Sequence, residues 1–183
     1  MLHNYSIFVI DPPWPKKKGG LRKVAPNQTR KLDYETMDVR SIFGLLDREI
    51  FPTAYDTHMV FLWGIDQYLH EGEVQMSYRG YKLHARMIWD KENGVAPGFT
   101  IRYSHEYISW FYYPKMIPVD KDYRGKYSSV INERSREHSR KPDRLYNMID
   151  NLYPDQTKLD VFSRERRPGL HSWGNQTDYF TGR

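Results

Sequence analysis

The sequence predicts an α/β domain built on a mixed, largely parallel sheet. Short apolar, β-branched runs alternate along the chain with stripes of helical period, the pattern of strands separated by covering helices. The first run, Ile7-Phe8-Val9-Ile10, is apolar throughout, as expected of a parallel strand covered on both faces. A length of 183 residues suffices for one substantial core and is short for two, so residues 1–183 are expected to form a single domain.

The elements follow in order. The first strand breaks at Asp11-Pro12-Pro13-Trp14, because proline cannot donate to a ladder. Residues 15–31 are basic, carry a Gly19-Gly20 hinge and lack apolar periodicity; they read as a loop. Val39, Ile42, Phe43 and Leu46 recur at helical spacing behind Asp38, a suitable cap. Residues 58–63 form the next buried strand, ended by Gly64, and a helix follows over 66–78, closed by Gly80. Residues 83–89 make a further strand, in which Trp89 is a packing residue, and 105–113 are strongly β-prone. Residues 120–136 are rich in charge and read as a surface loop and strand edge facing nucleic acid. Leu145, Met148, Ile149 and Leu152 then define a helix with Pro142 and Asp143 at its start and Pro154 as its stop. Residues 158–162 form the last predicted strand. There is no internal repeat or low-complexity segment.

Composition narrows the chemistry. A formal charge of +5 and 15% aromatic residues suit association with a polyanion. With no cysteine, disulfides, thiolate zinc sites and cysteine nucleophiles are excluded, and the seven histidines are never three or four residues apart; no metal is expected. No apolar run approaches the roughly 20 residues that span a bilayer, and no leader is evident, so the expectation is a cytoplasmic protein without a membrane partner.

Asp11-Pro12-Pro13-Trp14 stands at the carboxyl end of a strand, where open α/β sheets bind ligands. Asp11 offers an acceptor, the prolines present carbonyls with no neighbouring N–H, and Trp14 offers a stacking face, which together suit a base withdrawn from its helix. Read alone, the four residues fit an ordinary turn equally well.

The tetrapeptide resembles the signature of the S-adenosylmethionine-dependent adenine-N6 methyltransferases related to the catalytic subunit of the mRNA adenosine methyltransferase. The likeness continues in order through Tyr34-Glu35-Thr36-Met37, Phe61-Leu62-Trp63, Ile88-Trp89-Asp90-Lys91, His105-Glu106-Tyr107, Ser139-Arg140-Lys141-Pro142-Asp143 and Trp173-Gly174-Asn175-Gln176. It implies a Rossmann-like methyltransferase fold with circularly permuted motif order, which explains why no glycine-rich G-x-G turn follows the first strand. Asp11, Pro12, Pro13 and Trp14 would be catalytic, with Asp11 also near the cofactor. Trp14, Tyr34 and Glu106 would meet the substrate base.

The cofactor site is then expected mostly in the C-terminal part. Lys141 precedes a helix N-terminus, where an ammonium, unpaired N–H groups and the dipole converge on a spot suited to a carboxylate; by resemblance it binds the methionine carboxylate. Asp160 interrupts Leu159, Val161 and Phe162 and needs partners, which two ribose hydroxyls would supply; an Asp on an exposed strand face is the competing reading. Arg164, Arg166, Asn175 and Gln176 match cofactor-contacting positions of the family. Only ten residues precede Asp11, so a further adenosine-contacting acid that the family carries upstream is expected to be missing or replaced.

The sequence thus points to an adenine-N6 methyltransferase acting on DNA. The choice of DNA follows the compact phage and bacterial members and the little length left for an RNA-binding module. Lys16, Lys17 and Lys18 would grip the phosphate backbone, the alternative being a solvated basic loop. The same reaction on RNA adenosine, or an inactive nucleic-acid-binding subunit, are the competing functions. A homo- or heterodimer is compatible with the family.

Overall fold

The computed structural model describes residues 4–15, 34–92, 101, 103–137 and 139–181. In chain order they form β1 (Tyr5–Ile10), α1 (Val39–Leu45), β2 (Ala54–Gly64), α2 (Asp66–Tyr78), β3 (Lys82–Asp90), β4 (His105–Tyr113), β5 (Val130–Asn132), α3 (Asp143–Leu152), β6 (Lys158–Val161) and β7 (His171–Trp173). The strands make one sheet in the order β5-β3-β4-β2-β1-β6-β7. Neighbours are parallel except at β4, which runs against both β2 and β3. This is the mixed, largely parallel sheet that the alternating pattern predicts.

The pleat divides the core in two. Phe8 and Ile10 of β1 with Val60 and Leu62 of β2 face α1 and α2, while Ile7, Val9, Met59, Phe61 and Trp63 face α3. Helices therefore cover both sides, which is why β1 is apolar at every position from Ile7 to Ile10 and each of these is fully buried.

Local chemistry explains the boundaries. Asp38 caps α1 by accepting from Ser41 N–H at 2.9 Å. Beyond Leu45 the helical run continues as a π turn (Leu46–Ile50) and a 3-10 turn (Phe51–Thr53), and Pro52 prevents further extension. The strand predicted at 58–63 starts earlier, at Ala54, because Tyr5 pairs with it. The expected strand edge within 120–136 is β5, on the outer side of β3. The strand predicted to reach 162 ends at Val161, since Phe162 takes a φ of 61°. β7 is unpredicted: three residues paired on one side leave no periodic signal.

Two results of this topology position the site. The chain leaves β1 toward β2 on one side, whereas β6 lies on the other, so the strand order switches direction at β1 and a crevice opens at the carboxyl ends of β1 and β6. β4, running backwards, brings its first residues to the same edge, with Trp89 opposite Glu106. Among the described residues no helix is long and apolar enough to cross a membrane.

Candidate active site

A cavity of about 720 Å³ occupies the crevice, within the roughly 300–1,000 Å³ typical of small-molecule sites. Asp11 leaves β1 there, its N–H bound to the Val161 carbonyl at 3.2 Å. The proline carbonyls are not idle: Pro12 accepts from Trp14 N–H at 2.8 Å and Pro13 from Met37 N–H at 2.9 Å. These bonds fix the loop and tie it to the segment that carries Tyr34 and Met37.

Trp14 is an anchor more than an open platform. Its indole N–H donates to the Trp63 carbonyl at 3.0 Å, and Tyr68 stacks on it at 5.6 Å and 11°. Only 7% of it is exposed, because one ring face is covered by α2. Gly72 suits this contact, since a Cβ at that position would stand 3.2 Å from the indole, tighter than ordinary packing. The stacking face expected at Trp14 is thus largely taken by Tyr68, and little of the ring remains open on the cavity wall.

Charge is concentrated opposite the loop. Lys141 Nζ lies 3.0 Å from Asp11 Oδ1 and 2.8 Å from Glu106 Oε2, while Lys91 Nζ holds the other Glu106 oxygen at 2.6 Å. Burial opposes ionisation of Glu106, yet the two ammonium groups outweigh it and hold its carboxyl down near 2. Burial also opposes the charge on Lys141, and there Asp11 and Glu106 prevail and raise its pKa. Asp11, sharing one ammonium with Glu106, is less well compensated: burial raises its pKa against the pull of Lys141. Glu106 lines the cavity, but its oxygens are already engaged.

The predicted anion site at the start of α3 is filled from within. Glu133 accepts from Asp143 N–H at 3.0 Å and Arg144 N–H at 2.9 Å, so the unpaired donors expected there are taken by the chain's own carboxylate. Arg136 reinforces the turn through the Lys141 carbonyl at 3.0 Å and the Asp143 carboxylate.

Asp160 also differs from expectation. It pairs in register with Val9, shares the α3 side of the sheet and is 2% exposed. Its partners are Ser163 Oγ at 2.9 Å, Tyr146 OH at 3.4 Å and the Arg167 guanidinium at 3.5 Å, in place of the ribose hydroxyls expected from sequence. It lines only a small recess behind the main cavity, and burial lifts its pKa to about 7 despite Arg167.

Arg164 reaches the cavity wall with its guanidinium over the rings of Tyr179, Phe180 and Tyr34, at 4.0, 4.9 and 5.1 Å. Asn175 and Gln176 line the same wall beyond β7. Gly174, at φ 149°, passes so close to Phe162 that a Cβ would meet its backbone at 3.2 Å, which explains the glycine in this motif. Arg166 lies apart, exposed and paired with Asp178 at 3.1 Å. Lys16, Lys17 and Lys18 fall outside the described residues.

The structure therefore gathers Asp11, Pro12, Pro13, Trp14, Tyr34, Glu106, Lys141, Arg164, Asn175 and Gln176 around one cavity, and leaves Asp160 behind it and Arg166 outside. Sequence reasoning missed Phe162 and Ser139, which line it, and Glu133, Tyr146 and Arg167, which support it. The positive φ values of Ser139 (67°) and Phe162 (61°) have no sequence signature, and Glu133 caps a helix ten residues away.

The family model described as MT-A70 matches residues 5–176. The chain is 25% identical, over 97% of its length, to the N(6)-adenosine-methyltransferase MT-A70-like protein of Drosophila melanogaster. It is 27% identical, over 97%, to the N(6)-adenosine-methyltransferase subunit METTL3 of Danio rerio. To the catalytic subunit METTL3 of Homo sapiens it is 26% identical over 97%. These matches cover 28%, 29% and 29% of the respective relatives, so the chain spans under a third of their length.

Proposed function

The chain belongs to the MT-A70 family, and on that premise we propose that it transfers a methyl group from S-adenosylmethionine to the exocyclic N6 amine of adenine in a nucleic acid. The observation that carries this reading is Asp11, a cavity-facing carboxylate at the carboxyl end of β1 held 3.0 Å from the Lys141 ammonium. Without Asp11 and Lys141 the crevice would be a generic ligand site.

S-adenosylmethionine is the methyl donor of the family. The chemistry of the cavity wall suits it. Lys141 commits two of its three N–H donors to Asp11 and Glu106 and retains one for a carboxylate. Asn175 and Gln176 carry amides able to read the donors and acceptors of an adenine ring. Arg164 adds a cation beside aromatic rings. Asp160 and Arg166 would have to exchange their present partners to take part. Bound in this cavity, the cofactor supplies an electrophilic sulfonium methyl group.

The residues of the chain act by positioning. Asp11 accepts a hydrogen bond from the amine and aims the nitrogen lone pair across the cavity, and the second lone pair of the Pro12 carbonyl is available for the other N–H. As the new N–C bond forms, the methyl–sulfur bond would break with its electron pair returning to sulfur, leaving neutral S-adenosylhomocysteine, and the positive charge that grows on nitrogen would be stabilised by the Asp11 carboxylate. The surplus N–H proton then leaves to Asp11, whose raised pKa makes it a better acceptor than an ordinary carboxylate, and from there to water. Tyr34 and the exposed part of Trp14 flank the space for the base.

For the polymer, we propose DNA, following the likeness to compact family members described above. The names of the relatives specify adenosine, which favours RNA as the second reading. Labelled-methyl incorporation into matched DNA and RNA oligonucleotides, with digestion to identify N6-methyladenine, tests both. Label confined to RNA removes the DNA assignment, and label in neither, with no binding of the donor, removes the enzyme reading in favour of an inactive binding subunit.

A further inference from the structure

We infer that Lys91 is a positioning residue of the methyl-transfer site, acting through Glu106 so that Lys141 can serve Asp11 and the carboxylate of the methyl donor. This rests on the methyltransferase reading above and assigns a role to a side chain outside the cavity wall.

The geometry is a chain of four charges. Lys91 Nζ binds Glu106 Oε1 at 2.6 Å, Glu106 Oε2 binds Lys141 Nζ at 2.8 Å, and Lys141 Nζ reaches Asp11 Oδ1 at 3.0 Å. Two ammonium groups balance two carboxylates. Each ammonium also sits over an indole, Lys91 over Trp89 at 5.2 Å and Lys141 over Trp63 at 4.7 Å. The indoles touch edge to face at 5.9 Å, and both are buried, at 3% and 1% exposed. A Trp63–Trp89 platform thus fixes the distance between the two cations, with Glu106 between them.

The backbone of Lys91 is held as firmly as its side chain. Its N–H donates to Ser104 at 2.9 Å and its carbonyl accepts from Ser135 at 2.9 Å. Such immobilisation of a lysine just past a strand is not needed for solvation of its charge.

The consequence is electrostatic. Without Lys91, Glu106 would have Lys141 as its one ion-pair partner among the described residues and draw its ammonium away from Asp11. Lys141 would then be divided between two carboxylates, with Arg164 acting on Asp11 and not on Glu106, which opposes both ionisation of Asp11 and entry of an anionic ligand group. Among the described residues, the other charged or titratable groups bearing on Asp11 are Arg164 after β6, Asp160 on β6 and Tyr146 on α3, and none of them pairs with Glu106.

The test uses the full chain with Lys91→Met, Lys91→Arg and, as a control on the strand that precedes Lys91, Arg86→Met, whose pair with Glu73 lies away from the site. Calorimetry with S-adenosylmethionine should show affinity lowered about 10–100-fold in Lys91→Met, the scale on which outer partners of a functional ligand act, and restored by Lys91→Arg. The acid limb of the rate profile should move to higher pH in Lys91→Met only. Titration of the Asp11 carboxyl by carbon NMR in the ligand-free protein should move the same way. Unchanged affinity and unchanged Asp11 titration in a folded Lys91→Met protein would overturn the inference, as would a Lys91→Arg protein that folds and still behaves like Lys91→Met. Failure of the wild-type chain to bind the donor or to methylate would instead count against the methyltransferase reading.

Discussion

Lys141 and Asp11 tie the helical C-terminal half of the site to its N-terminal loop: the ammonium before α3 stands 3.0 Å from the carboxylate that ends β1. Asp11 is 22% exposed toward the cavity while Lys141 is 10% exposed, so the pair is sheltered yet open to a ligand on one side. Removing Lys141 leaves the Asp11 charge poorly compensated, whereas removing Asp11 leaves Lys141 with Glu106.

Asp11→Asn should keep the fold, because the amide is isosteric and Lys141 retains Glu106. It should lower methyl transfer by about 10²–10⁴-fold, the usual contribution of a positioned acid–base group. Affinity for S-adenosylmethionine should change little. Single-turnover methylation and calorimetry on the same preparation check this, and near-normal turnover would remove Asp11 from the chemistry.

Asp160 makes a prediction about pH. Its pKa is raised from 3.8 to about 7 in the folded chain, so between these values the unfolded chain has lost a proton that the folded chain still holds. Its contribution to stability therefore falls as pH rises from about 4 to about 7 and is constant above that. Glu106 acts oppositely, its depressed pKa contributing stability above its unfolded value that is lost as pH falls toward 2. Asp160→Asn should flatten the decline between pH 4 and 7. Urea unfolding at several pH values measures it, and parallel slopes for wild type and variant would contradict it.

Trp14 separates anchoring from stacking. As a buried indole donating to Trp63 and stacked on Tyr68, it should cost about 3–5 kcal/mol when changed to Ala, the range for large buried aromatics. Trp14→Phe should lose less and keep the loop in place. If Trp14→Ala melts like wild type while activity collapses, the ring serves the base and not the fold.

The contrast with the sequence is instructive at particular residues. β1, α1 and α3 were legible because burial on one or both faces writes a period into the chain, and Asp11 was legible because prolines cut a buried strand short. Asp160 was recognised as a polar interruption needing partners, but adjacency on β6 does not reveal that Tyr146, Ser163 and Arg167 converge on it. Trp14 showed its aromatic nature and not which neighbour would cover it. β7 is too short to carry a pattern, and the cap on α3 comes from a carboxylate across a turn.

That cap supports the last prediction. Glu133, with a side chain 19% exposed, receives the first two helical N–H groups of α3, at 3.0 and 2.9 Å, and the N-cap Pro142 has no side chain able to replace it. Lys141 lies directly before that cap, and its carbonyl is held by Arg136. Glu133→Ala should therefore act twice. It should remove a cap worth about 1 kcal/mol, seen as a lower unfolding midpoint. It should also loosen the turn that aims Lys141, seen as weaker binding of S-adenosylmethionine with faster amide exchange confined to the first turn of α3. Glu133→Gln, which keeps one acceptor oxygen, should fall between Ala and wild type in both measurements. A Glu133→Ala protein whose midpoint falls while donor affinity stays unchanged would limit Glu133 to the helix and place the control of Lys141 with Asp11 and Glu106 alone.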